Sequence, residues 1–87
     1  MKKITIKTFL LQENGIVDKE RFVSLQFRNQ GETPATVQGN IVLQPGETVN
    51  LSFNDQEVVI DQPFVVRFDG LAGKKNSVVV IAGVLLD

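Results

Sequence analysis

The segment Asn29–Phe53 constrains the fold more than any other part of the chain, because it combines three turn signals with a strict alternation of residue types. Its last six residues place apolar side chains at Val49, Leu51 and Phe53, with polar side chains between them. That alternation is typical of an antiparallel strand with one wet face. The preceding Gln44–Glu47 has Pro second and Gly third, as a type II turn requires. The segment therefore predicts short antiparallel strands joined by tight turns.

The same reasoning along the whole chain predicts an all-β protein. Val, Ile, Thr and Phe, which suit a pleated and half-buried surface, number 13, 6, 5 and 6. We predict strands at residues 2–11, 22–28, 35–37, 41–43, 48–53, 57–61, 64–68 and 77–86, and we expect Gly83 to mark a bulge or a close approach. The predicted fold is an antiparallel β-sandwich or a jelly-roll-like small barrel of seven to eight short strands, with no significant helix and with residues 1–87 in a single domain.

Composition excludes several classes of function. The net charge is −1, and no basic excess suggests nucleic-acid binding. The longest apolar run, Val78–Leu86, is far shorter than the roughly 20 residues of a membrane helix. No signal peptide is recognised near the start. Cysteine is absent, so no disulfide supports this small core, and oligomerisation is the stabilising device that remains.

Catalysis and metal binding have few candidate residues. The chain has no His, which removes the commonest general base and transition-metal ligand. Asp55, Glu57 and Asp61 could form a carboxylate pair or a calcium site, but Glu57 and Asp61 would lie about 13 Å apart on one strand. Solvated carboxylates beside an edge strand are the favoured interpretation. We expect no enzyme activity, no metal and no cofactor.

The predicted C-terminal strand is apolar on both faces, and the predicted first strand becomes so at Phe9–Leu11. A strand of a thin sandwich should show one face to water, so such a strand is either covered on both sides within the chain or lies at a subunit interface. We favour an interface for part of this surface. The candidate interface residues are Phe9, Leu11, Val79, Ile81, Leu85 and Leu86.

The pattern Asn29-x-Gly31-x-x-Pro34-Ala35-Thr36-Val37-x-Gly39, followed by Leu43-x-Pro45-Gly46-Glu47-Thr48, resembles a hairpin of small virion proteins of tailed bacteriophages. These include auxiliary or decoration capsid proteins and head-fibre or tail-associated proteins. The same strand and turn pattern also occurs in fibronectin-like and pilus-chaperone-like sandwiches. The resemblance implies a building block that attaches to a shell, and it carries over no catalytic or binding residue.

These observations predict a non-enzymatic structural protein that self-associates or docks on a capsid or another virion protein. We expect a homo-oligomer that is synthesised in the host cytoplasm and located in the virion, without nucleic-acid or membrane partners. The alternative is a small ligand- or glycan-binding module acting through the loops Asn29–Pro34 and Asp69–Asn76.

Overall fold

A computed structural model describes residues 3–52, 59–70 and 72–86. Within these residues the protein has eight β-strands and no helix, which confirms the predicted fold class. The strands are β1 (Ile4–Leu11), β2 (Gly15–Val17), β3 (Phe22–Asn29), β4 (Ala35–Val37), β5 (Ile41–Leu43), β6 (Thr48–Ser52), β7 (Phe64–Phe68) and β8 (Val78–Leu85).

The strands pair as one long hairpin that has been rolled up. Its innermost pair is β4 with β5, followed outward by β3 with β6, β2 with β7 and β1 with β8, all antiparallel. Rolling this hairpin adds the pairs β3 with β8 and β4 with β7. The result is two four-stranded sheets, a first sheet in the order β1-β8-β3-β6 and a second in the order β2-β7-β4-β5. Eight strands in this arrangement form a jelly roll.

The core lies between the two sheets and is held by aromatic contacts across them. The ring of Phe64, from the second sheet, lies 6.2 Å from the ring of Phe22 and 5.5 Å from the ring of Phe27, both in the first sheet. These tilted and edge-on arrangements are the ones that aromatic rings prefer. Val78, Val80, Ala82 and Val84 of β8 line the same core. The alternate residues of β8 therefore face outward.

The turn Gln44–Glu47 has the predicted type II conformation. Gly46 has a φ of 90°, and the Glu47 amide donates to the Gln44 carbonyl at 2.9 Å, as in a type II turn. Gln38 and Gly39 have φ values of 57° and 80°, the pattern of a type I′ hairpin turn between β4 and β5. These turns set the register of the three short strands around them.

The largest difference from the predicted strands is β2, because no strand is predicted between residues 11 and 22. β2 has only three residues, too few to show an alternation, and it exists through its pairing with β7. Residues 57 and 58 of the predicted strand at 57–61 lie outside the described residues, as does Phe53, and residues 59–61 hold an isolated bridge at Ile60 and no strand. Ile60 forms a two-way backbone bridge with Phe22, at 3.1 and 2.7 Å.

Gly83 lies beside a bulge, as predicted. The register between β3 and β8 shifts between Phe22 and Ser24, opposite Val84 and Gly83. A Cβ built on Gly83 would lie 2.8 Å from Ser24 Oγ and 3.3 Å from Val23 Cγ2. Any larger residue at this position would therefore displace the Ser24 side chain.

Candidate functional site

One half of the first sheet presents an apolar surface to solvent. The outward residues of β1 alternate with those that face the core, and their partners on β8 share the same face. We call this surface the β1–β8 face. It consists of Ile4, Ile6, Thr8 and Leu10 of β1 and Val79, Ile81, Gly83 and Leu85 of β8.

The β1–β8 face is uncharged and holds four of the seven large apolar residues that are exposed in the described part of the chain. Ile6 is 66% exposed, Ile4 and Leu10 are each 55% exposed, and Ile81 is 40% exposed. None of the eight residues is ionisable, and they form four adjacent cross-strand pairs. A contiguous exposed apolar patch of this kind is a common mark of an interaction surface, whereas scattered apolar residues are not.

The structure separates the predicted interface residues into two groups. Val79, Ile81 and Leu85 belong to the β1–β8 face, and Leu86 is exposed just beyond the end of β8. Phe9 and Leu11 lie on the opposite side of β1, where they are half-buried and pack against the core. Phe9 pairs with Val80 and Leu11 with Val78, and both valines are fully buried.

The candidate interface residues named from the sequence did not include Ile4, Ile6 and Leu10, which are the most exposed large apolar residues of the β1–β8 face. These residues alternate with Thr5, Lys7 and Phe9, so their shared face was visible as a period of two. The pattern did not show which of the two faces meets the core. That choice follows from the pairing of Lys7 with Ala82 and of Phe9 with Val80.

The other half of the same outer surface is polar. Ser24, Gln26 and Arg28 of β3 lie beside Gly83, Ile81 and Val79 in register, and β6 continues each row. The β6 residues in these rows are Ser52, Asn50 and Thr48. The sheet therefore has an apolar half and a polar half, which gives the apolar half a defined boundary.

The free edge of the first sheet carries a charged residue that faces inward. Lys7 lies on the core side of β1, and its Nζ donates to Glu20 Oε1 in an ion pair. An inward-pointing charge on an edge strand is a known barrier to pairing with a strand of another chain. This arrangement favours the outer face of β1, and not its edge, as the contact surface.

The two loops proposed for ligand binding lie together at one end of the sandwich and bond to each other. The Gln30 amide donates to the Ser77 carbonyl at 3.0 Å, and the Glu32 amide donates to the Lys75 carbonyl at 2.7 Å. The Lys75 amide donates in turn to Glu32 Oε1 at 3.0 Å. These backbone groups and the Glu32 carboxylate therefore hold the two loops together.

A shallow groove of about 680 Å³ lies on the outer face of the second sheet, between β4 and β7. Two side-chain amides in its lining bond to the backbone. Gln38 Oε1 accepts from the backbone amide of Val65 at 2.7 Å, and Asn14 Oδ1 accepts from the backbone amide of Phe68 at 2.8 Å. Arg67 and Asp69 also line the groove. The groove is open, and the described residues that line it include no Ser, Cys, His or Lys.

The described part of the chain holds no group of three or more acidic residues placed to bind a metal ion. Of the three carboxylates considered from the sequence, Asp61 is exposed, and Asp55 and Glu57 lie outside the described residues. Ser77 Oγ accepts from Gln30 Nε2 at 3.3 Å, Ser24 packs against Gly83, and Ser52 is exposed. In residues 3–52, 59–70 and 72–86, no helix is long and apolar enough to cross a membrane.

Comparison with known proteins identifies no family for this chain. No protein-family model and no curated protein sequence matches the chain. Among solved structures, the chain is similar to a de novo designed double-stranded β-helix determined by solution NMR, with 20% sequence identity and a TM-score of 0.46. The alignment covers 93% of this chain and 97% of the designed one. The assignment of the fold rests on the strand order, and the β1–β8 face is the candidate functional site.

Proposed function

We propose that the protein is a non-enzymatic structural protein that self-associates or docks on a larger protein shell through the β1–β8 face. The observation that carries the proposal is the contiguous, uncharged apolar surface on an outer sheet face, with four large side chains 40–66% exposed. Burial of such a surface is the main favourable term in most protein association. The complementary partner surface is likewise apolar and uncharged at its centre.

The small size of the domain supports the same proposal. The chain has 87 residues and no cysteine, so neither a large core nor a disulfide adds to its stability. If another surface covered its exposed apolar residues on β1 and β8, that burial would stabilise the folded chain. The absence of His and Cys from the sequence supports a role without catalysis.

The proposed setting is the virion of a tailed phage, as an auxiliary or decoration component of its shell. This part of the proposal rests only on the sequence resemblance of Asn29–Thr48. That segment forms the innermost hairpin, β4 with β5, and the turn that leads into β6. It lies away from the β1–β8 face, so the resemblance concerns the scaffold and not the contact residues.

Light scattering and co-sedimentation of the purified chain test the proposal. We expect the chain to form oligomers on its own or to sediment with shell particles from the same source as its gene. The Ile6→Lys variant should lose this behaviour, because it places a charge in the centre of the β1–β8 face. The matched control is Ile16→Lys, which changes a residue 60% exposed on β2, at the edge of the other sheet.

A chain that stays monomeric up to its solubility limit and also stays in the supernatant with the particles would contradict the proposed function. Equal loss of association in Ile6→Lys and Ile16→Lys would contradict the assignment of the face. Circular dichroism of both variants shows whether each retains the β-sheet fold.

A further inference from the structure

We infer that the partner of the β1–β8 face is a second copy of this chain, packed face to face about a two-fold axis that runs parallel to the strands between β1 and β8. The inference rests on the proposed function, since it names the occupant of the same face. It predicts that Ile6 of each copy lies over Gly83 of the other, and that Ile81 lies over Thr8.

The centre of the face is a checkerboard of large and small residues. Two neighbouring cross-strand pairs, Ile6 with Gly83 and Thr8 with Ile81, place the two isoleucines on one diagonal and the two small residues on the other. Opposed sheets pack about 10 Å apart with interdigitating side chains, so a large residue requires a small one opposite. A two-fold axis lying in the interface plane places each isoleucine over a small residue.

The outer two pairs select the axis that is parallel to the strands. This axis places Ile4, which is 55% exposed, over Leu85, which is 8% exposed. It also places Leu10, 55% exposed, over the half-buried Val79. The perpendicular axis would instead oppose the protruding Ile4 and Leu10, and leave Leu85 opposite Val79 with a gap. In the two outer pairs, protruding residues meet recessed ones only about the strand-parallel axis.

The distribution of charged residues on and around β1 and β8 is compatible with a contact between two copies of the β1–β8 face. The overlapping strands are β1 and β8, and no outward residue on either is ionisable, so the contact brings no like charges together. Arg28 is on β3, outside the overlap. Lys7 opposes edge pairing of β1 with another β1, because it keeps a charge on the inner side of that edge. Face packing leaves the ion pair of Lys7 with Glu20 in place.

The size of the contact predicts a weak pair. Two strands of eight residues cover about 270 Å² per copy at ordinary strand rise and spacing, and stable complexes bury roughly 1,200 Å² or more in total. The isolated dimer is therefore dependent on concentration. In a shell, many such contacts act together and their avidity adds to the affinity of each.

A dilution series followed by ¹H–¹⁵N NMR measures this pair. We expect amide shifts that depend on concentration for residues of the β1–β8 face and not for Thr36 or Arg67 on the second sheet. Ile6→Lys should raise the dissociation constant by about tenfold or more, and Ile16→Lys should leave it within about twofold. Absence of any concentration dependence up to the solubility limit would overturn the inference.

The Thr8→Ile variant tests the checkerboard. It adds apolar surface to the face, so it would strengthen association driven only by apolar area. The proposed packing predicts the opposite, a weakening of about tenfold, because the larger side chain at position 8 would collide with Ile81 of the other copy. Tighter association of Thr8→Ile would therefore overturn the proposed geometry.

The double variant Thr8→Ile with Ile81→Thr tests the axis. It places both large residues on β1 and both small ones on β8, which restores large over small about the strand-parallel axis alone. We expect it to recover dimerisation to within about threefold of the original chain, and failure to recover, in a variant with a dispersed spectrum, would overturn the assigned axis. If no pair forms while the chain still sediments with shell particles through Ile6, the further inference fails and the proposed function stands.

Discussion

The side-chain amide of Asn29, at the end of β3 in the first sheet, donates to the carbonyl of Leu43, at the end of β5 in the second sheet, at 2.9 Å. The same Nδ2 donates to the Thr33 carbonyl at 2.8 Å, and Oδ1 accepts from the Gly31 amide at 3.0 Å. Asn29 is fully buried. One side chain thus joins the two sheets and shapes the loop between β3 and β4.

Replacement of Asn29 by Ala should destabilise the protein strongly. The change leaves the buried Leu43 and Thr33 carbonyls and the Gly31 amide without their partner, and each such loss costs on the order of 1–3 kcal/mol. We expect the free energy of unfolding to fall by at least about 3 kcal/mol in urea denaturation. The control is Asn50→Ala, at an exposed position of β6, which should change the stability by less than about 1 kcal/mol. Similar effects of the two changes would contradict the bridging role.

The contact of Gly83 with Ser24 predicts a coupled pair of substitutions. Gly83→Ala should lower the free energy of unfolding by about 1–3 kcal/mol, because its Cβ would lie 2.8 Å from Ser24 Oγ. In a Ser24→Ala background the obstructing oxygen is absent, and the same change should cost at least about 0.5 kcal/mol less. A double-mutant cycle by thermal or urea unfolding measures this coupling, and equal costs in the two backgrounds would refute the steric explanation.

The φ of 57° at Gln38 places a residue with a side chain in the left-handed region. Gln38→Gly and Gln38→Ala both lose the bond from the Val65 amide, so they differ mainly in backbone strain. We expect Gln38→Gly to be the more stable of the two by about 1 kcal/mol. The control pair, Thr36→Gly and Thr36→Ala, lies within β4 and should show the reverse order, since glycine weakens the interior of a strand. Urea unfolding of the four variants decides this.

Replacement of Lys7 by Val should increase aggregation without a large loss of stability. The ion pair of Lys7 with Glu20 is partly exposed and contributes at most about 1 kcal/mol. Its removal leaves an apolar edge strand that other chains can extend. We expect turbidity and thioflavin fluorescence to rise during incubation, while Lys74→Val, in an exposed loop, stays clear. If Lys7→Val aggregates no faster than Lys74→Val, the inward charge does not protect the edge.

Most of the strands could be predicted from the sequence, because strands with one wet face repeat every two residues. The predicted segments 35–37, 41–43 and 64–68 coincide with β4, β5 and β7. The turn Gln44–Glu47 was also predictable, because Pro and Gly restrict φ locally. β2 was not, since Gly15–Val17 is too short for a pattern and forms only against β7.

The candidate site was predictable in location but not in orientation. The two-faced apolar pattern of the terminal strands pointed to β1 and β8, and it placed Val79, Ile81 and Leu85 among the candidates. Phe9 and Leu11 were equally apolar, but they pack against the core. That Ile4 and Ile6 lie on an outer surface follows only from the register of β1 with β8, which places them on the side away from the core.

The sequence by itself determined the all-β class and the tight turns of the central hairpin, because alternation and Pro-Gly turns act over a few neighbouring residues. Only the tertiary structure decided the strand order, the strand β2 and the outward face of β1 and β8. A strand that is apolar on both sides can bury either one, and a shift of one residue in register exchanges them. In the folded chain Ile6 pairs with Gly83, on the side of β8 that faces away from the core, so this side of β1 and β8 is the outward one.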